Sequence, residues 1–287
     1  MDNSSEKSYS SIKRRETIAN VVIYVILIFV AVTMLVPFIW MILTAFKSVA
    51  ESTQVDPFII FPSVWRMDNF QTVVENMGFV RLYWNTLLMI ALRVLCAVLT
   101  ATFAGYAFAR LEFPGKTLMF SIVLLQMMVP VQLFIIPQYV MVSKLGWINT
   151  IWGLLFPGLV SAFGTFLLRQ AYMSLPKELE EAARLDGCNI GQTFVLVMAP
   201  LARSSMVALG IFTAVFAYKD LMWPMIVCPD TKYTTLSSAL AKMQGQFVSN
   251  YPQLMAGAFI ACLPMIVLYV IFQRQFIEGI ATSGGKL

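Results

Sequence analysis

Three observations predict an all-α membrane protein with six transmembrane helices. Of 287 residues, 59% are hydrophobic and only 12% charged, against roughly 25% charged in ordinary soluble domains; mean hydropathy is +0.76. Six stretches are apolar for about the 20 residues a helix needs to cross a bilayer. Lys and Arg are shared unevenly between the segments joining those stretches, the bias that orients membrane helices.

The first stretch, 18–46, carries no charge. It is too long for a signal-peptide core and has no convincing small-residue cleavage site, so it reads as a retained span. The others are 86–109, interrupted by Arg93, then 118–142, 151–168, 206–228 and 254–272. Pro130, Pro137, Pro157 and Pro264 lie within them, so kinks and freed carbonyls are expected. With the N-terminus in the cytoplasm, 12 of the 20 Lys and Arg fall on the cytoplasmic side, 7 on the outer side, and Arg93 in the membrane. The cluster Lys13-Arg14-Arg15 before the first span is the strongest local signal. Both termini are then cytoplasmic. The organisation is a tail, 1–17, a six-helix domain, 18–272, with its core at 84–272, and a C-terminal tail, 273–287. The outer segments 47–85, 143–150 and 229–253 are too small for a folded catalytic domain.

Composition excludes several functions. The chain has no histidine, hence no Ser-His-Asp or Cys-His triad and no histidine metal site. Cys96, Cys188, Cys228 and Cys262 form no CxxC pair and read as small apolar residues; no metal site is expected. A net charge of +5 reports topology rather than nucleic-acid binding. No GxxxxGK[ST] phosphate loop is present, so ATP cannot be hydrolysed here by that machinery. An ion-coupled carrier would show internal repeats and paired intramembrane carboxylates. Here no repeat is visible and Asp220 is the one clear intramembrane carboxylate.

The densest charge lies between two spans, in a cytoplasmic loop, 174–203, containing "LPKELEEAARLDGCNIGQTFVLVMAP". Pro176 suits a first helical turn, with Ser174 placed to cap it. Glu178, Glu180 and Glu181 sit where the helix dipole favours anions. Lys177 with Glu181, and Glu180 with Arg184, are spaced to meet on the surface. Leu175, Leu179, Ala182 and Ala183 gather on one thin apolar side. Gly187 suits a left-handed stop. Asn189 can start a second short helix with Phe194 and Val197 on its apolar side, ended by Pro200. The hairpin fits either a connector lying on the membrane surface or a helix docked in a protein groove.

Glu181-Ala182-Ala183, three residues, Gly187, nine residues, then Val197-Met198-Ala199-Pro200 resembles the EAA loop of binding-protein-dependent ABC importer permeases. Val197 and Ala199 depart from the family's Ile and Leu but stay apolar. "FAGYAFARLEFPGK", "MVPVQLFIIPQYVMVSKLGWINT" and the C-terminal "FQRQFIEGIATSGGKL" extend the likeness towards the carbohydrate-uptake branch, which includes the smaller maltose-transporter permease. The resemblance implies a type I ABC importer permease fold in the cell membrane and no catalysis by this chain. It implies coupling to an ATPase through Glu181, Ala182, Ala183, Asp186, Gly187 and Pro200. Its implied partners are a second EAA-type permease, an ABC ATPase dimer that holds ATP and Mg, and an extracytoplasmic sugar-binding protein. Tyr233, Thr234 and Gln244 would contact that binding protein.

Ionisable groups at membrane depth are functional candidates. Lys219 and Asp220 fit a local ion pair or a cavity lining that meets a sugar. The family usually has Asn where Lys219 stands, which leaves the carry-over open. Arg93 can snorkel, pair with an acid or line the pathway. Gln126, Met128 and Gln132 suit either solute contact or interhelical contact.

Overall fold

The computed structural model describes residues 3–230, 232–243 and 250–284, with side chains between 16 and 273. All regular structure in these residues is helical. In chain order the helices are α1 (Asn3–Ala45), α2 (Val49–Thr53), α3 (Asp68–Met77), α4 (Phe79–Arg110), α5 (Lys116–Met128), α6 (Ile135–Lys144), α7 (Ile151–Leu155), α8 (Ala162–Ser174), α9 (Glu178–Leu185), α10 (Ile190–Gln192), α11 (Ala199–Leu201), α12 (Arg203–Lys219), α13 (Met222–Val227), α14 (Leu236–Lys242) and α15 (Tyr251–Gly284). Single 3₁₀ turns, Val131–Phe134 and Phe156–Gly158, precede α6 and follow α7, and a π-helical stretch, Thr193–Met198, joins α10 to α11.

Three helical segments are long and apolar enough to cross a membrane: Glu16–Ala45, Phe79–Arg110 and Tyr251–Gln273. Three bent pairs are long and apolar enough only when their two limbs are taken together, as a broken span or a re-entrant loop, which makes up to six spans. Lys116–Met128 and Val131–Lys144 meet at 106°, Ile151–Gly158 and Ala162–Ser174 at 45°, and Ile190–Leu201 and Arg203–Lys219 at 71°. The first break falls at Pro130, as expected of a residue without an N–H; the second falls at residues 159–161, after the 3₁₀ turn that contains Pro157. Pro137 lies in the first turn of α6 and breaks nothing, and α1 and α15 continue through Pro37 and Pro264.

Two expected boundaries need correction. α4 begins at Phe79, seven residues before the apolar stretch, because Arg81, Tyr83, Trp84 and Asn85 continue the helix beyond the apolar layer. The fifth stretch does not run unbroken to Cys228. α12 stops at Lys219, and Asp220, extended at ψ 111°, leads into α13. The Asp220 carboxylate accepts the Trp223 N–H at 3.3 Å, satisfying a donor that a new helix leaves open.

The chain divides into two compact units: Met1–Val73 with Gln246–Ile260, and Val74–Gly245 with Ala261–Leu287. In the first, α1 is exposed on all sides from Glu16 to Ile39. Beyond it the chain ties itself down. Lys47, 1% exposed, donates to the Ile59 carbonyl at 2.6 Å beneath the Trp40 ring. Asn69 donates to the carbonyls of Ala45 and Lys47. Glu51 accepts from Ser48 and Ser63.

In the second unit α4, α8 and α12 pack together around small residues. A Cβ on Gly105 would lie 2.9 Å from the Arg169 nitrogen and the Leu168 Cβ, and one on Gly164 would lie 2.9 Å from Ala101 and Leu209. Side-chain hydrogens therefore permit this approach where a methyl would not. Two buried clusters result. One contains Met89, Leu154, Trp223 and Val227; the other contains Tyr106, Tyr172, Phe194 and Met198 and underlies the α9 hairpin.

Candidate functional site: the α9 hairpin and the intramembrane ion pair

The hairpin has a first limb, α9, and a second limb, Ile190–Leu201. α9 ends in a Schellman arrangement. Cys188 N–H donates to the Ala183 carbonyl and Gly187 N–H to the Arg184 carbonyl, both at 3.0 Å. Gly187 has φ +84°, where a side chain is strained. Asn189 opens the second limb with a reciprocal capping box: its Oδ1 accepts the Gln192 N–H, and Gln192 Oε1 accepts the Asn189 N–H, each at 2.9 Å. The left-handed stop and the second start stand where the sequence put them.

Other details differ. Ser174 does not cap α9; it is the last residue of α8, and its hydroxyl donates to the Ala171 carbonyl. Pro200 does not end the second limb. The limb continues to Leu201 and turns at Ala202, because the wider π turn before Pro200 leaves room for its ring. The apolar side of α9 is also divided. Ala183 and Glu180 are buried, while Glu178, Leu179, Glu181, Ala182 and Arg184 face outward.

Glu180 turns inward, a placement that sequence reasoning missed. Its carboxylate lies 3.9 Å from Arg110 Nε, with side-chain exposures of 10% and 6%, and it faces the Tyr106 hydroxyl. No Glu180–Arg184 surface pair is made. Phe194, 7% exposed, packs its ring 4.9 Å from Tyr106 and 5.2 Å from Phe103, and Met198 is fully buried. The hairpin's inner face is thus anchored in the α4/α8 core. Its outer face carries Glu181, Ala182, Asp186 and Gly187, with Leu185 at 89% exposure and Ile190 at 56%. Arg184, Cys188, Asn189, Ile190 and Gly191 line a shallow open hollow there. The one cue available in the sequence was Arg110 in the last turn of α4, but its partners lie 62 to 70 positions away.

Arg93 and Asp220 come together. Arg93 Nη1 lies 2.8 Å from Asp220 Oδ2, with side chains 6% and 22% exposed. Arg93 Nε also donates to the Leu154 carbonyl at 3.0 Å, at the broken α7–α8 span. Gly158 packs against its stem; a Cβ there would sit 2.5 Å from Arg93 Cγ. The Asp220 carbonyl accepts from Ser237. Asp220 therefore pairs with Arg93 rather than with its neighbour Lys219, which is exposed.

Gln126, Met128 and Gln132 are all exposed and lie around the 106° break. Thr234 is 4% exposed, its hydroxyl donating to the Asp230 carbonyl and its own carbonyl accepting from Asn85. Its side chain is therefore closed to an external partner, whereas Tyr233 is half-buried beneath Lys232. Gln244 lies outside the described residues. Among those residues no cluster of three Cys, Asp or Glu is arranged to hold a metal.

Three long apolar helices and three bent apolar pairs make this a multi-pass membrane protein. Residues 97–280 match the family described as binding-protein-dependent transport system inner membrane component. The arabinooligosaccharides transport system permease protein AraQ of Halalkalibacterium halodurans is 31% identical over 90% of this chain and 93% of its own. The lactose transport system permease protein LacG of Rhizobium radiobacter is 25% identical over 94% and 97%. A solved bacterial ABC transporter involved in the import of the acidic polysaccharide alginate shares the fold, with a TM-score of 0.79, at 22% identity over 91% of this chain and 97% of that one. The chain belongs to this family of inner-membrane transport components, in its carbohydrate-uptake permease branch, and has the type I ABC importer permease fold.

Proposed function

We propose that the chain is one of two pathway-forming permease subunits of an importer driven by a separate ATPase dimer, which holds the ATP and Mg. Both termini and the α9 hairpin are cytoplasmic. An extracytoplasmic solute-binding protein delivers a sugar or oligosaccharide, a cargo class supported by relatives named for arabinooligosaccharides and lactose. Closure of the ATPase dimer moves the hairpins and turns the pathway outward. Coupling of this kind is reciprocal, so the loaded binding protein in turn favours the closed ATPase.

The observation that carries this reading is the two-faced hairpin. Its inner face is locked to α4 and α8, and its outer face presents Leu185, Ile190 and Ala182 around a stiff glycine stop. Covering Leu185 alone would contribute about 1.5–3 kcal/mol. Among the candidate lining residues, Gln126, Met128, Gln132 and Lys219 fit pathway lining by their exposure. Arg93 and Asp220 better fit a structural joint.

The test is Gly187→Asp. No atom lies within 4 Å of a Cβ built at Gly187, so the hairpin survives apart from backbone strain of about 1–2 kcal/mol. A carboxylate then projects beside Asp186 on the docking face. Membrane insertion should persist while the ATPase no longer co-purifies. Full retention of the ATPase with normal ATP-dependent uptake would overturn the assignment.

A further inference from the structure

Three helices converge on one guanidinium. Arg110 is the last residue of α4. Its Nε donates to the Tyr172 carbonyl at 3.1 Å and its Nη2 to the same oxygen at 2.6 Å; Nη2 also donates to the Leu175 carbonyl. The Tyr172 carbonyl already accepts the Leu175 N–H at 3.3 Å, so Arg110 adds to that bond and gives the Leu175 carbonyl a donor at the end of α8; a cation there also suits the helix dipole. The same side chain faces Glu180 in the first turn of α9. Glu180 Oε1 is buried and has no hydrogen-bond partner among the described residues; Arg110 faces the carboxylate as its cation, beside the Tyr106 hydroxyl. A reciprocal contact returns from α8, where Arg169 Nε donates to the Phe108 carbonyl of α4 at 3.3 Å. Only residues 175–177 separate α8 from α9.

We propose that Arg110 is a positioning residue for energy coupling. It braces the hairpin against the ends of α4 and α8, so that force on the outer face of α9 moves these helices instead of flexing the connector. This inference rests on the coupling function proposed above. Lysine would be a poor replacement, because a single ammonium cannot reach two carbonyls and a carboxylate with the fork of a guanidinium.

The experiment uses the full complex in proteoliposomes and measures the factor by which the solute-binding protein stimulates ATP hydrolysis. A general loss of stability lowers basal and stimulated rates together and leaves that factor alone. In Arg110→Ala the ATPase should stay bound while the stimulation factor falls about fivefold or more, the lower end of ordinary coupling. Arg110→Lys should fall between parent and Arg110→Ala. If Arg110→Ala does not assemble, Glu180→Gln, which keeps the side-chain shape, decides by the same criterion. A parental stimulation factor in Arg110→Ala, or in Glu180→Gln if only that variant assembles, overturns the brace. Gly187→Asp separates the two claims. If that variant keeps the ATPase and the parental stimulation, the coupling reading itself is lost. If it sheds the ATPase while Arg110→Ala behaves as parent, only the brace is lost.

Discussion

Replacing Arg93 with Met removes a charge while keeping an apolar stem against Gly158. The Asp220 carboxylate is then left without its cation and the Leu154 carbonyl without its donors. Removing one partner of a buried ion pair costs about 3–5 kcal/mol. Asp220 retains 22% exposure, so some water reaches it and the lower end, about 3 kcal/mol, is expected. Asp220→Leu should cost a similar amount, since it strands the guanidinium and uncaps Trp223. The double variant Arg93→Met/Asp220→Leu replaces both charges with apolar groups and should cost about 4 kcal/mol, less than the sum of the two single changes, about 6 kcal/mol. The pair should therefore show an interaction energy of about 2 kcal/mol. SDS titration of the purified chain in mixed micelles, followed by tryptophan fluorescence, would measure it, with Trp223 as a reporter beside the site. Additive single effects, or single effects below about 1 kcal/mol, would refute the joint. Arg93→Lys should not restore the parent, because one ammonium cannot serve Asp220 and Leu154 together.

Gly105→Val should destabilise the α4–α8 contact by about 1–3 kcal/mol, since its nearest neighbours include the Arg169 backbone, which cannot yield as a side chain can; the same SDS titration reports it. The knot around Glu51 should be acid-resistant. Hydrogen bonds from Ser63 and Ser48 hold its carboxyl at about 2, against about 4.3 for an unconstrained glutamate. The folded state thus binds the proton more weakly, and the knot's stabilisation is complete above about 4.3 and disappears as pH falls through about 2. Limited proteolysis of residues 54–62 across that range would show cleavage beginning only in strong acid. Ser63→Ala should move its onset to higher pH.

Much of the fold was legible because lipid imposes a simple rule: apolar runs of sufficient length become helices. Gly187 and Asn189 were legible for a similar reason, since helix ends need particular residues locally. What escaped was long-range. The break at Asp220 hides within an apolar run, and its cue, an acid three positions before Trp223 and followed by Pro224, is a capping signal rather than a hydropathy signal. The Arg93–Asp220 pair joins positions 127 apart, and no periodicity encodes that. Glu180 and Glu181 have the same chemistry and neighbouring places. Only the end of α4 decides which one turns inward.

Those adjacent glutamates give the hairpin a rotational index. One residue along a helix is a turn of about 100°, so α9 has one setting that brings Glu180 to Arg110 and an adjacent setting that would bring Glu181 there instead. In the observed setting Glu181 is free to meet another protein and Glu180 is spent on the chain's own frame. Because only residues 175–177 join α8 to α9, the length of that connector sets which glutamate meets Arg110. An insertion or deletion of one residue there would leave every side chain of the EAA motif in place in the sequence, yet point each at the wrong neighbour.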